Sequence, residues 1–230
     1  MLDDGTFSRK RPVQPMLLAD LSPCVLGCLK SKATVRQFER GSTICLQGEP
    51  AEAVKIVRKG WVKLYRVSPS GSEAILATLS EGESFDEISG LNGGTCAASV
   101  EAVTDCSIMF VDLAALNMCA NAQREISSAI LSVASSQMDN MLSHIEQLKV
   151  KNGVQRLAEY LLGQCGTTTG PSQFDLPYEK HVLAGKLGMK PESLSRAFKR
   201  LKAAGVKSDL KHIQVSDVRA LEDFAEALDA

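Results

Sequence analysis

The sequence predicts an α+β fold: an N-terminal β-barrel of the double-stranded β-helix (jelly-roll) type, one long helix and a C-terminal winged helix-turn-helix. Three observations carry this expectation. Glycines at 41, 48, 60, 71 and 82 cut residues 33–112 into short apolar segments, the spacing an antiparallel barrel or sandwich needs. From Asp112 to Gly153 glycine is absent, and the apolar period lengthens from two to about three and a half. Between Lys180 and Lys211, nine Lys/Arg stand against two acids, so this stretch carries +7 while the rest of the 230-residue chain carries -8.

The elements follow in order, with residues 1–20 as a polar tail, 21–118 as the barrel, 119–150 as the long helix and 151–230 as the C-terminal domain. In the barrel, Val62 and Leu64 alternate with Lys63 and Tyr65, and Ile75, Ala77 and Leu79 share another face, as pleated strands require. Residues 68–71 and 80–83 are rich in Ser, Pro, Gly and Glu, which suits turns. In the long helix, Leu131, Ala134, Met138, Met141, Ile145 and Leu148 step by three or four and form one seam; Ile126, Ile130 and Val133 form a second stripe. A helix buried in a single core needs one stripe. Two stripes favour one packed on the barrel and the other paired with a second chain as a coiled coil, hence a homodimer. The helix breaks at Lys151, Asn152 and Gly153, and residues 166–171 form a turn-rich connector.

From Lys180 to Gly205 the pattern fits a helix-turn-helix. Ala184 is small where two helices cross, Gly188 supplies a positive φ for the turn, and Pro191 suits the first position of the second helix. Leu183, Leu187, Met189, Leu194 and either Ala197 or Phe198 supply the shared core. The other face of that helix carries Glu192, Ser193, Ser195, Arg196, Lys199 and Arg200. Arginine can donate two hydrogen bonds to guanine and glutamate can accept one from cytosine, which makes these six residues candidate contacts to double-stranded DNA. The bland alternative has Glu192 complementing the helix dipole and Arg196 pairing with it one turn on. Residues 206–215 read as a hairpin wing whose Lys207 and Lys211 would touch phosphates.

Seven cysteines at irregular spacing do not form a disulfide framework and fit a reducing cytoplasm. Arg9, Lys10 and Arg11 precede only a brief apolar patch at residues 16–18, too short for a signal-peptide core or a membrane span. No membrane role is expected.

Glu192, Ser193, Leu194, Ser195 and Arg196 together resemble the Glu-x-x-Ser-Arg reading motif of the FNR branch of the CRP/FNR superfamily of transcription regulators. Lys151, Asn152, Arg156 and Leu157 resemble the hinge after that family's dimer helix. Residues 48–50, 60–65 and 85–88 resemble strands of its cyclic-nucleotide-binding-like barrel. The likeness runs from about Leu21 to Val215. It implies that Glu192, Ser195 and Arg196 read a TTGAT-like half-site in an inverted repeat and that residues 131–148 form the dimer interface. An activator of this kind would also contact RNA polymerase.

The departures bear on the signal. Cyclic-nucleotide sensors of the family carry a Gly-Glu-Leu turn and then an Arg-Ser pair for the phosphate. Here the turn reads Phe85, Asp86, Glu87, Ile88 and the later strand Ala97, Ala98, Ser99, so cyclic AMP is not expected. Only Cys24 and Cys28 lie ahead of the barrel, where an iron-sulfur cluster would want four thiolates; core packing is the reading for both, and Cys45, Cys96, Cys119 and Cys165 read as small buried hydrophobes. Residues 61–76 and 176–180 resemble the nitric-oxide-responsive regulators, which implies nitric oxide or redox state as the signal and haem as a possible cofactor. Of the three histidines only His144 could approach a barrel-helix pocket, with Phe85, Glu87 and Ile88 as its other expected lining. Haem held by Cys or Met, a thiol-redox regulator and an effector-independent regulator stay open.

Two other functional classes fit the sequence less well. A cupin-like metal enzyme needs histidines converging in the barrel, and none occurs between Ala33 and Asp112; Gly90 to Gly94, expected to precede a strand, is no phosphate loop. A scaffold with a cyclic-nucleotide domain and no DNA binding would not explain the basic C-terminal segment. The chain reads as a regulator, not an enzyme.

Overall fold

The computed structural model describes residues 16–112 and 120–227. The glycine-punctuated segments become strands β1 (Thr34–Phe38), β2 (Thr43–Cys45), β3 (Val54–Lys59), β4 (Val62–Val67), β5 (Glu73–Leu79), β6 (Ser84–Phe85), β7 (Ser99–Ala102) and β8 (Cys106–Val111). They form two facing antiparallel sheets in the orders β1-β8-β3-β6 and β2-β7-β4-β5. Gly60 turns β3 into β4 with φ +89°, and a Cβ there would lie 2.4 Å from the Asp105 carbonyl oxygen. Only glycine fits.

Strand alternation divides the apolar residues between two cores. Val57, Val62, Phe85, Val100, Ala102, Cys106 and Ile108 fill the space between the sheets. Val54 and Ile56 of β3, with Met109 and Val111 of β8, face helices instead. Those helices are α1 (Pro23–Lys32) and the first half of α3 (Ala120–Val150), whose Ile126, Ile130 and Val133 are buried there. The barrel-facing stripe of the long helix is therefore as expected. Two expectations need correction. The polar tail does not extend to residue 20, because a 3-10 turn at Met16–Leu18 buries Leu17 and Leu18 in the same core. Cys24 and Cys28 are exposed; α1 buries Val25 and Leu29, one turn apart, and its other face lies in solvent.

The short helix α2 (Glu87–Asn92) takes up Gly90, Leu91 and Asn92, so that glycine-rich stretch ends a helix before it reaches a strand. The C-terminal domain opens with α4 (Gly153–Gln164), where Asn152 and Gln155 form a reciprocal capping box. It continues through β9 (Ser172–Asp175), α5 (Lys180–Lys186), α6 (Pro191–Leu201), β10 (Val206–Asp209), β11 (His212–Val215) and α7 (Val218–Glu226). Sequence reasoning missed α7, although Asp217 caps it and Val218, Leu221 and Ala225 repeat at helical spacing on its buried face. It also missed β9, which turns the wing hairpin into a three-stranded sheet.

This domain docks on β5. Trp61 meets Tyr178 edge-on at 5.3 Å between ring centroids, and Lys186 Nζ donates to Thr78 Oγ1 at 2.9 Å. Arg40 pairs with Glu179, while Ile75 packs where a Cβ on Gly185 would sit. His144 lies at the foot of α3; burial, then the charges of Arg156 and Lys186, push its pKa below the usual histidine value. A histidine whose folded pKa is lowered contributes stability that is present above its ordinary pKa of 6.5 and lost as pH falls through the folded value. Acidification from pH 7 to 5 is thus expected to lower the melting temperature, and His144→Asn to flatten that dependence; calorimetry across the range measures it.

Candidate nucleic-acid interface

The local sequence of α6 explains its exposed face. Pro191 occupies the first helical turn, Glu192 sits at the positive end of the helix dipole, and Lys199 and Arg200 sit at the negative end. Leu194, Ala197, Phe198 and Leu201 recur at i, i+3, i+4 and i+7 and are buried, so the helix is fixed against α4 and α5 along one stripe. Glu192, Ser195, Arg196, Lys199 and Arg200 are left exposed and Ser193 half-buried. The helix-turn-helix angle is set by Gly188, at φ +61°, and by Met189 N–H donating to Ala184 O at 2.8 Å. Arg156 braces the turn from α4: its Nε donates to Leu187 O at 2.9 Å and its Nη1 to Lys151 O at 2.6 Å.

Within α6, Arg196 Nη2 donates to Ser193 Oγ at 3.1 Å, and Ser195 Oγ donates to Pro191 O at 3.1 Å. The helix ion pair weighed for Arg196 is replaced by this serine contact, which leaves the Glu192 carboxylate clear of the guanidinium. Lys207 is exposed on β10 and Lys211 half-buried in the turn to β11. At that turn Leu210 takes φ +46° and is 82% exposed. Lys180 Nζ donates to Ser208 Oγ at 3.2 Å and lies over the Phe198 ring, which ties the first helix to the wing; burial lowers its pKa. Six of the eight expected DNA-contact residues thus lie on α6, and the other two, Lys207 and Lys211, lie on the adjoining wing.

The second stripe of α3 is open. Leu131, Met138, Met141, Ile145 and Leu148 are exposed large hydrophobics, Leu131 at 71%, and Leu142 joins them at 54%. Ala134 is half-buried. Leu148 also abuts Gly188, so the end of this seam touches the helix-turn-helix turn.

The four residues expected to line an effector pocket do not converge. Phe85 is buried inside the barrel, and Glu87 turns outward to α3, where it accepts from Gln137 Nε2 at 3.1 Å and Ser84 Oγ at 2.5 Å. Ile88 is 57% exposed, and His144 lies beside Arg156 and Lys186 of the other domain. The reason is helical geometry: Gln137 meets Glu87, and seven further residues carry His144 about 10 Å along the axis. The barrel interior holds another group that sequence reading missed. Lys55 Nζ and Asp86 Oδ2 form a buried ion pair at 2.6 Å, each side chain 7% exposed, beside the buried Cys45 and Cys96. Asp86 sits at φ +62°, so the turn before α2 aims its carboxylate into the barrel instead of capping the helix.

These residues fit neither the phosphate of a cyclic nucleotide nor a haem held by histidine. A cyclic-nucleotide phosphate would meet the Asp86 carboxylate, and the neighbouring cation, Lys55, is already neutralised by it. A haem would find no imidazole in residues 33–112, with His144 out of reach. The ion pair itself carries an expected result. Asp86→Asn leaves a buried ammonium uncompensated and should cost about 3–5 kcal/mol of stability. Adding Lys55→Met should restore most of that loss, as urea unfolding would measure.

Comparisons with known proteins agree with this architecture. Residues 35–123 match the cyclic nucleotide-binding domain family and residues 155–224 the Crp-like helix-turn-helix domain family. The chain is 31% identical over 177 residues to the global nitrogen regulator of Synechococcus elongatus, covering 74% of this chain and 80% of that one. A crystal structure of a putative cyclic nucleotide binding protein from Ruegeria pomeroyi is 42% identical, with TM-score 0.64 and coverage of 91% and 93% of the two chains. FixK2 from Bradyrhizobium japonicum, at 24% identity and TM-score 0.69 over 83% and 96%, shares the fold. Among the described residues no helix is long and apolar enough to cross a membrane. With a jelly-roll barrel, a long helix and a basic winged helix-turn-helix matched along most of its length, the chain belongs to the CRP/FNR family of DNA-binding transcription regulators.

Proposed function

We propose that this regulator works in the cytoplasm as a homodimer, reads a TTGAT-like inverted repeat, and answers to nitric oxide or redox state instead of cyclic AMP. The observation that carries the reading is the exposed face of α6, where Glu192, Ser195, Arg196, Lys199 and Arg200 stand clear of a fully packed opposite stripe. A helix fixed on one side and furnished with donors and an acceptor on the other suits insertion in the major groove. The open seam of α3 supports pairing, because exposed leucines, methionines and an isoleucine at heptad spacing are what a two-stranded coiled coil buries. Pairing would place two α6 helices on one duplex, as an inverted repeat demands. As an activator, the bound dimer would also contact RNA polymerase.

Fluorescence anisotropy with a TTGAT inverted repeat and a scrambled duplex tests the DNA reading. Preference for the repeat by roughly a thousandfold or more is expected of specific recognition; equal affinity for both duplexes would sink it. The signal is tested apart: DNA affinity is measured before and after anaerobic nitric oxide, with the optical spectrum recorded to reveal any haem. An unchanged affinity removes nitric oxide.

A further inference from the structure

We propose that the barrel interior holds a site for a thiophilic divalent cation of the zinc class, with Cys45, Cys96 and Asp86 as ligands. The thiol sulfurs of Cys45 and Cys96 and a carboxylate oxygen of Asp86 lie within 4.8 Å of one another. Cys45 Sγ is 3.8 Å and Cys96 Sγ 3.4 Å from Asp86 Oδ2. Donors bound at ~2.3 Å (sulfur) and ~2.1 Å (oxygen) to a tetrahedral ion stand ~3.5–3.8 Å apart. The two sulfur-to-oxygen edges therefore already match such a site to within a few tenths of an ångström, and the three donors come from three separate places in the chain: the end of β2, the turn before α2 and the loop before β7.

Charge favours the same occupant. Without a cation, the Lys55 ammonium and the Asp86 carboxylate cancel, and burial favours the neutral form of both thiols. With a divalent cation, two thiolates and the carboxylate supply three negative charges against the cation and Lys55, and the sum is again zero; the two thiol protons leave to water. A buried group can change occupant at low cost only when neutrality is kept. Soft sulfur ligands select zinc-class ions over magnesium or calcium. Entry is provided by a depression of roughly 430 Å³ whose lining includes both Cys45 and Lys55. The site is independent of the DNA reading.

Cobalt(II) titration of the reduced, metal-stripped full chain under anaerobic conditions tests it, in a Cys24→Ser/Cys28→Ser background that removes the two thiols classed as exposed among the described residues. The expected result is a tetrahedral thiolate-cobalt spectrum saturating at one ion per chain, displaced by zinc, and lost in Cys45→Ala and in Cys96→Ala variants whose circular dichroism is unchanged. X-ray absorption of the zinc-loaded background protein, which needs no core variant, should return two sulfur neighbours with oxygen or nitrogen completing the shell. A spectrum that never develops in that background, one that survives both alanine variants, or a zinc shell without sulfur would overturn the proposal.

Discussion

Arg196→Ala is expected to abolish discrimination at one base pair of each half-site while leaving the fold intact. The side chain is exposed and its hydrogen bond within α6 is to the Ser193 hydroxyl, so little stability depends on it. Its guanidinium is free to swing to a guanine edge, where a bidentate contact discriminates by about 1–3 kcal/mol, roughly 5- to 150-fold. Anisotropy titrations against duplexes substituted singly at each position would show one position becoming indifferent. Unchanged preference at every position would remove Arg196 from the reading set. Lys207→Ala should behave differently: affinity falls for all sequences alike, and the slope of log affinity against log salt shrinks by about 1. The pair of variants separates base reading on α6 from phosphate contact on the wing.

Met141→Asp is expected to convert the proposed dimer to monomer and, with it, to remove operator binding. Met141 is 60% exposed in the single chain and sits in the open seam of α3, so an aspartate there is harmless to the folded protomer. In a two-stranded coiled coil it would bring an unpaired carboxylate into an apolar seam, at a cost of about 3 kcal/mol or more per interface. Light scattering would report the protomer mass near 25 kDa, and circular dichroism would be unaltered. Ile130→Asp supplies the contrast. Ile130 is 4% exposed in the core between α3 and the barrel, so that substitution should unfold the protein. A Met141→Asp protein that stays dimeric would place the interface elsewhere.

The two cases show which features the sequence makes legible. A stripe at period three and a half marks which residues of α3 must be covered, and the split between Ile126, Ile130, Val133 and the Leu131–Leu148 seam follows from helical geometry alone. The exposed face of α6 was legible for the same reason, because Leu194, Ala197, Phe198 and Leu201 leave their opposite side to Glu192 and Arg196. Cys24 and Cys28 escaped this logic. On the ten-residue α1 the apolar pattern is weak, and burial fell to Val25 and Leu29 instead.

The sequence by itself determined the order of barrel, long helix and basic winged helix-turn-helix, and the two stripes of the long helix, because each is encoded by periodicity, turn residues or charge within a few tens of residues. Only the tertiary structure decided what meets across the chain. It brought Lys55, Asp86, Cys45 and Cys96 together inside the barrel, set Trp61 against Tyr178 between the domains, and carried His144 away from the turn at Phe85 to a place beside Lys186. Those contacts depend on strand order, register and the length of a rigid helix. They are long-range properties that no local repeat of residue types records.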